Sequence, residues 1–131
     1  MSAGTTWSIG ILAFSGDSWG WRAFQLRVSW RDFAGNEGLG TAVVDRSDTA
    51  GQFWFFDEAN RELLVKVVDG CAANGHVWVL LAGTTNVENV LTVTDLESGA
   101  ERAYAGALGQ PVPTRLDTAA FACDADSGEE N

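Results

Sequence analysis

Histidine and cysteine are scarce in this chain of 131 residues, which has one of the first and two of the second. A zinc site of histidines and cysteines usually takes four such ligands, and His76, Cys71 and Cys123 make only three. A catalytic triad would have to rest on His76 alone. Positive charge is also short: 8 Lys and Arg face 18 Asp and Glu, for a formal charge of -10. A field of that sign repels phosphate backbones and anionic lipid, which excludes nucleic-acid partners. No apolar run approaches the roughly 20 residues that cross a bilayer, so membrane insertion is not expected. Residues 1–20 lack a basic n-region, an apolar h-region and a cleavage site, which leaves two readings: a leader removed before Met1, or a cytosolic chain.

Apolar residues make up 46% of the chain and charged residues 20%, enough to build a core in one domain. Fifteen glycines, six tryptophans and seven phenylalanines suit tight turns between aromatic-rich strands. From Phe24 to Trp30 apolar residues hold the even positions and polar residues the odd ones, as in a half-buried strand. Gln52-Phe53-Trp54-Phe55-Phe56 is apolar almost throughout and reads as a strand buried on both faces. Asn74-Gly75 reads as a hairpin turn joining Leu63–Val68 to His76–Leu81. Further strands are expected at Thr5–Phe14, Gly40–Val44, Asn89–Thr94, Glu101–Ala105 and around Phe121, with an extended crossover from Leu108 to Thr118. No segment shows i, i+3, i+4, i+7 periodicity. Eight or nine short strands at this spacing predict an all-β, single-domain antiparallel β-sandwich of immunoglobulin-like or jelly-roll type. The expected organisation is an N-terminal segment (1–23) adding a strand, a sandwich domain (24–123) and an acidic, mobile tail (124–131).

Several motifs in register carry a resemblance. They are the strand Phe24–Phe33, then Gly51-Gln52-Phe53-Trp54-Phe55-Phe56, then Asn60–Cys71, Asn74–Val79, Val93-Thr94-Asp95 with Ser98-Gly99, and Asp117–Phe121. In this order they resemble a functionally uncharacterised module that recurs in large secreted bacterial proteins, often near the C-terminus. The resemblance covers residues 24–123 and implies an exported, all-β accessory domain, secreted or held at the cell surface; it brings no catalytic residues. The chain departs from the pattern at the front, where Trp19-Gly20-Trp21-Arg22-Ala23 stands in place of a cysteine common before the first alternating strand.

The two cysteines allow one pairing. A Cys71–Cys123 bridge would close a loop of about 50 residues and contribute on the order of 4 kcal/mol; it favours an oxidising compartment, and the alternative is two buried free thiols. His76, after a turn, reads as a packing or hydrogen-bonding residue. Acid pairs could support a small hydrolase, but among 18 acids no pair stands out, and Asp45, Asp48, Asp57 and Glu58 read as solvated loop charges. No cofactor is expected. Calcium is the one metal the acidic loops could hold, at Asp45-x-x-Asp48 or Asp124-x-Asp126, although neither has the spacing of a twelve-residue calcium loop. Trp30, Trp54 and Trp78 lie in strands, and at least two of them are expected to fill the core. Trp7, Trp19 and Trp21 have fewer apolar neighbours, and Trp19 and Trp21, two apart, share one face of an extended chain. These three are the candidate contact residues for carbohydrate or a protein surface, with coverage of one end of the sandwich as the alternative. The function expected is a non-catalytic binding module. A self-assembling subunit pairing through an N-terminal edge strand is the alternative.

Overall fold

The computed structural model describes residues 3–15, 18–44 and 50–123. In chain order the elements are β1 (Ala3–Gly4), β2 (Trp7–Ser15), β3 (Ser18–Arg31), β4 (Glu37–Leu39), β5 (Thr41–Val44), β6 (Ala50–Trp54), β7 (Arg61–Gly70), the single helical turn α1 (Cys71–Asn74), β8 (His76–Gly83), β9 (Glu88–Asp95), β10 (Glu101–Gly106) and β11 (Arg115–Ala122). The expected antiparallel β-sandwich is present. One sheet has the order β1-β5-β6-β7-β8-β11 and the other β10-β9-β3-β2. The 14-residue β3 exceeds the length of any neighbour, so two strands share one of its edges: β2 along Ser18–Leu26 and β4 along Ser29–Arg31.

The core lies between the sheets and follows strand parity. Phe24, Leu26 and Val28 point inward from β3, as the alternation predicts, and meet Leu63, Val65 and Val67 of β7 and Val77, Val79 and Leu81 of β8. The N-terminal strand β2 is part of this core, to which it contributes Trp7, Ile9 and Ile11. Removing such side chains from water at roughly 25 cal/mol per Å² is the main favourable term holding the two layers together.

The Phe53-Trp54-Phe55-Phe56 run is corrected. Only Phe53 and Phe55 are buried; Trp54 is half-buried and Phe56 is exposed. The strand ends at Trp54, and its outward side is not covered by a third layer. The Asn74-Gly75 turn is also differently built. Asn74 closes α1, and Gly75 takes the left-handed conformation as its C-cap (φ 77°), donating its N–H to the Cys71 carbonyl at 2.9 Å. Just before it, a methyl group at Gly70 would fall 2.1 Å from Trp78 Nε1, so only glycine lets that indole lie across the strand. The ring is pinned there by Nε1 donating to Asn74 Oδ1 at 2.9 Å.

Strand β11 ends its sheet, and its pairing with β8 breaks between Asp117 and Phe121. Side chains take over the backbone groups there: Asp117 Oδ1 accepts from the Ala119 N–H (3.0 Å), and Asn74 Nδ2 donates to the Thr118 carbonyl (2.7 Å). An edge occupied in this way is a poor template for a further strand.

Candidate functional site

Of the three candidate tryptophans, the structure presents Trp21 outward and places Trp7 inside. Trp21 stands on the outer side of β3 and is 74% exposed. Its β2 cross-strand neighbourhood includes Gly10, where an added methyl group would sit 3.8 Å from Trp21 Cε3. The absence of a side chain at Gly10 leaves that edge of the indole uncovered from β2. Trp19 lies two positions earlier in the same strand, paired with Phe14; its side chain is outside the described residues. Trp7 is a correction. It is 3% exposed, meets Phe53 edge-on at 6.3 Å between ring centroids, and covers Gly51 so closely that a methyl group there would be 2.9 Å from the ring. It pairs with Leu26 and so faces the opposite side of the sheet from Trp21. The expected core tryptophans correct in the reverse sense: Trp30, Trp54 and Trp78 are all only half-buried.

Asp45, Asp48, Asp124 and Asp126, the weak calcium candidates, lie outside the described residues. Asp57 and Glu58 shape their own loop: Asp57 Oδ1 accepts from the Ala59 N–H, and the Glu58 carbonyl accepts from Arg61 Nε. His76 is tied to the turn before it, with Nδ1 at 3.1 Å from the Asn74 carbonyl. The Cys71–Cys123 disulfide is formed, with Cα atoms 5.8 Å apart. The Asp69 carboxylate lies close to both sulfurs, but each is committed to the bridge, so no thiolate is there to join it as a metal ligand.

Three features escaped the sequence reading. The first is a buried ion pair between Arg22 and Asp95, joined by Glu97 at 3.3 Å from Arg22 Nε. Arg22 Nη1 also donates to the carbonyls of Ala122 (2.8 Å) and Cys123 (2.9 Å), so this one guanidinium fastens the end of β11 to the opposite sheet. Asp95 in turn accepts from the Glu97 N–H and the Ser98 hydroxyl, each at 3.0 Å, and so caps the turn after β9.

The second is a cleft of about 720 Å³ at the opposite end of the sandwich, where the loop after β6, the loop between β8 and β9 and the crossover before β11 converge. Phe56 stands at its wall, 51% exposed, its ring edge-on to Trp30 at 4.7 Å. Asn60, Thr84 and Asn86 bring polar groups to the opening, and Glu62 lies beneath them, 5% exposed, with Asn60 Nδ2 3.3 Å from Oε2. Backbone bonds hold the walls: the Thr84 N–H donates to the Glu62 carbonyl (2.9 Å), and the Gly109 N–H to the Asn86 carbonyl (2.7 Å). The third is an apolar groove of about 360 Å³ on the outer side of the six-stranded sheet, lined by Leu64, Leu80 and Leu116 with the stem of Lys66.

Tyr104 joins the two sheets at their β10 and β11 edges by donating its hydroxyl to Asp117 Oδ2 at 2.7 Å. Burial, then the hydrogen bond to Asp117 and the charge of Asp117, push its ionisation well above the ordinary tyrosine value of about 10. A folded-state pKa raised above the unfolded one gives stability that is complete below about pH 10 and is lost as pH rises further. Tyr104→Phe is expected to cost about 1.5 kcal/mol at neutral pH and to remove that alkaline loss. Urea midpoints for both proteins from about pH 8 to about pH 11 check this; parallel alkaline declines would refute it. As Tyr104 is the only tyrosine, its ionisation can also be followed directly by ultraviolet absorbance.

Comparison of the chain with protein-family models, with curated proteins and with solved structures gave no match.

Proposed function

We propose that the protein is an exported, non-catalytic module that binds a carbohydrate or protein surface, with Trp21 as its principal contact and Trp19 beside it in the same strand. The observation that carries this reading is the presentation of Trp21: a large amphipathic ring, three-quarters exposed, on a stretch of β3 paired with β2. Pairing with Leu12 of β2 holds the backbone beneath it, and an indole, with only two side-chain torsions, loses little conformational entropy when a ligand lands on it. Such rings are over-represented among residues that dominate binding energy. The disulfide supports an oxidising destination, as does the resemblance to modules of secreted bacterial proteins. The charge of -10 argues against nucleic acid, and no described helix is long and apolar enough to cross a membrane. The reading invokes no cofactor. A non-catalytic role is supported by His76, whose Nδ1 meets a backbone carbonyl rather than a nucleophile.

The test is a glycan array together with pull-down from surface extracts, using wild-type protein and Trp21→Ala. The expected outcome is a ligand whose affinity falls on the order of tenfold in the variant, with little change in melting temperature because the side chain is 74% exposed. A captured ligand that binds both proteins equally removes Trp21 from the site.

One observation favours a second reading, self-association. Strand β2 runs for nine residues and pairs with β3 on one side; among the described residues no strand pairs with its other edge, which could take a strand of another copy. Deleting Thr5–Phe14 would remove Trp7, Ile9 and Ile11 from the core, so the informative measurement is light scattering on the intact chain. A mass that stays monomeric as concentration rises rejects assembly.

A further inference from the structure

We infer that the cleft between Phe56 and Asn86 is a second binding site, one that takes a neutral oligosaccharide. The inference rests on the reading of the protein as a binding module but not on Trp21. Along β3, Trp21 and Trp30 are nine residues apart, about 30 Å in an extended strand, and Phe56 packs against Trp30. The two surfaces therefore occupy opposite ends of the molecule.

The lining selects the ligand class. Phe56 supplies an apolar ring at the wall, the kind of surface on which the C–H face of a pyranose packs. Asn86 brings an amide with two donors and an acceptor, and Asn60 an amide with one donor directed at Glu62. Thr84 brings a hydroxyl oxygen that can accept while its proton goes to the Arg61 carbonyl at 2.9 Å, and all three residues are exposed at the opening. Glu62 is an acceptor held in a nearly dry position, and its contact with Asn60 is at the long end of the hydrogen-bond range. A vicinal pair of sugar hydroxyls donates well to such a carboxylate, and a charge-assisted bond of this kind is about twice as strong as a neutral one. Among the described residues no lysine or arginine lines the cleft, and the chain as a whole carries -10. Glu62 and the overall field together disfavour sialylated, sulfated or uronic acid ligands. The volume of about 720 Å³ accommodates a few sugar rings. The walls are held by backbone hydrogen bonds between loops, so the site exists before a ligand arrives and little ordering is required on binding.

The experiment uses the intact chain on an array of neutral gluco-, galacto-, manno-, xylo- and N-acetylhexosamine oligosaccharides with their sialylated, sulfated and uronic acid counterparts, followed by calorimetry on each glycan retained. The expected result is binding to a neutral oligosaccharide that is weakened on the order of tenfold or more by Phe56→Ala, several-fold by Asn86→Ala, and not at all by Trp21→Ala. Glu62→Gln is expected to weaken neutral binding while narrowing the preference for the neutral glycan over its uronic acid counterpart. That change in selectivity is one a purely structural role for Glu62 would not produce. Unchanged melting temperatures for Asn86→Ala, whose side chain is exposed, keep the comparison independent of folding. Absence of any neutral glycan from the array overturns the inference, and so does a glycan whose affinity is indifferent to Phe56→Ala and Asn86→Ala. A ligand, sugar or protein, that responds to Trp21→Ala alone overturns this site while leaving the binding-module reading intact.

Discussion

Asp95→Ala is expected to lower the stability of the fold by about 3–5 kcal/mol, the usual cost of removing one partner from a buried ion pair. Asp95 is 1% exposed and is the innermost anion facing Arg22; Glu97, the other, is largely exposed. Without Asp95 the guanidinium remains buried with two carbonyls and a solvated carboxylate, and the turn after β9 loses its cap at the Glu97 N–H and the Ser98 hydroxyl. Urea unfolding of the variant, read by tryptophan fluorescence, measures the loss as a drop in midpoint with an unchanged slope. A companion double variant, Arg22→Met with Asp95→Leu, separates charge from packing. It is expected to recover much of the single-variant loss, because replacing both ions by apolar groups leaves no orphaned charge. A loss below about 1 kcal/mol for Asp95→Ala would place the pair in the class of solvent-screened surface bridges and refute the argument.

Severing Cys71 from Cys123 is expected to be comparably damaging. The bridge spans 52 residues of sequence, and the chain-entropy estimate for a loop of that size is about 4 kcal/mol. It joins the first residue of α1 to the residue after β11, next to the carbonyls that Arg22 holds. Cys71→Ala with Cys123→Ala is the cleaner variant, since alanine at the buried Cys123 introduces no unsatisfied hydroxyl. The expected result is a midpoint shift equivalent to that energy, matched in the wild type by treatment with a thiol reductant. Mass spectrometry of the wild type should register a gain of two hydrogens on reduction. A reductant that changes neither mass nor midpoint would show that the bridge does not form in solution.

Much of the framework was legible in the amino-acid order because a sandwich imposes a period of two on every half-buried strand. Phe24, Leu26 and Val28 were placed inward on that ground alone. The same parity was available for Trp7, which shares its alternation with Ile9 and Ile11, and weighing those neighbours would have moved it into the core. Parity is silent where both sides of a strand are apolar. In Phe53-Trp54-Phe55 the chain does not state which side meets the partner sheet, so Trp54 was read as interior. Strand count is similarly blurred, because segments as short as β1 and β4 exist only through their pairing with β5 and β3. The candidate sites were less legible still. Arg22 and Asp95 are separated by 73 residues, and the cleft gathers Phe56, Asn86 and Pro111 from three connections and Glu62 from β7, with no common motif. Their proximity comes from sheet order, which local pattern does not encode.

The position of the cross-link in the chain sets a timetable for biosynthesis. Cys71 leaves the ribosome with seven strands behind it, whereas its mate emerges only when the last strand has followed. For that interval the earlier thiol is single, open to capture by glutathione or by a neighbouring nascent chain. Its blocking by an alkylating reagent would therefore mark molecules in which the cross-link had not closed, and resistance to that reagent those in which it had.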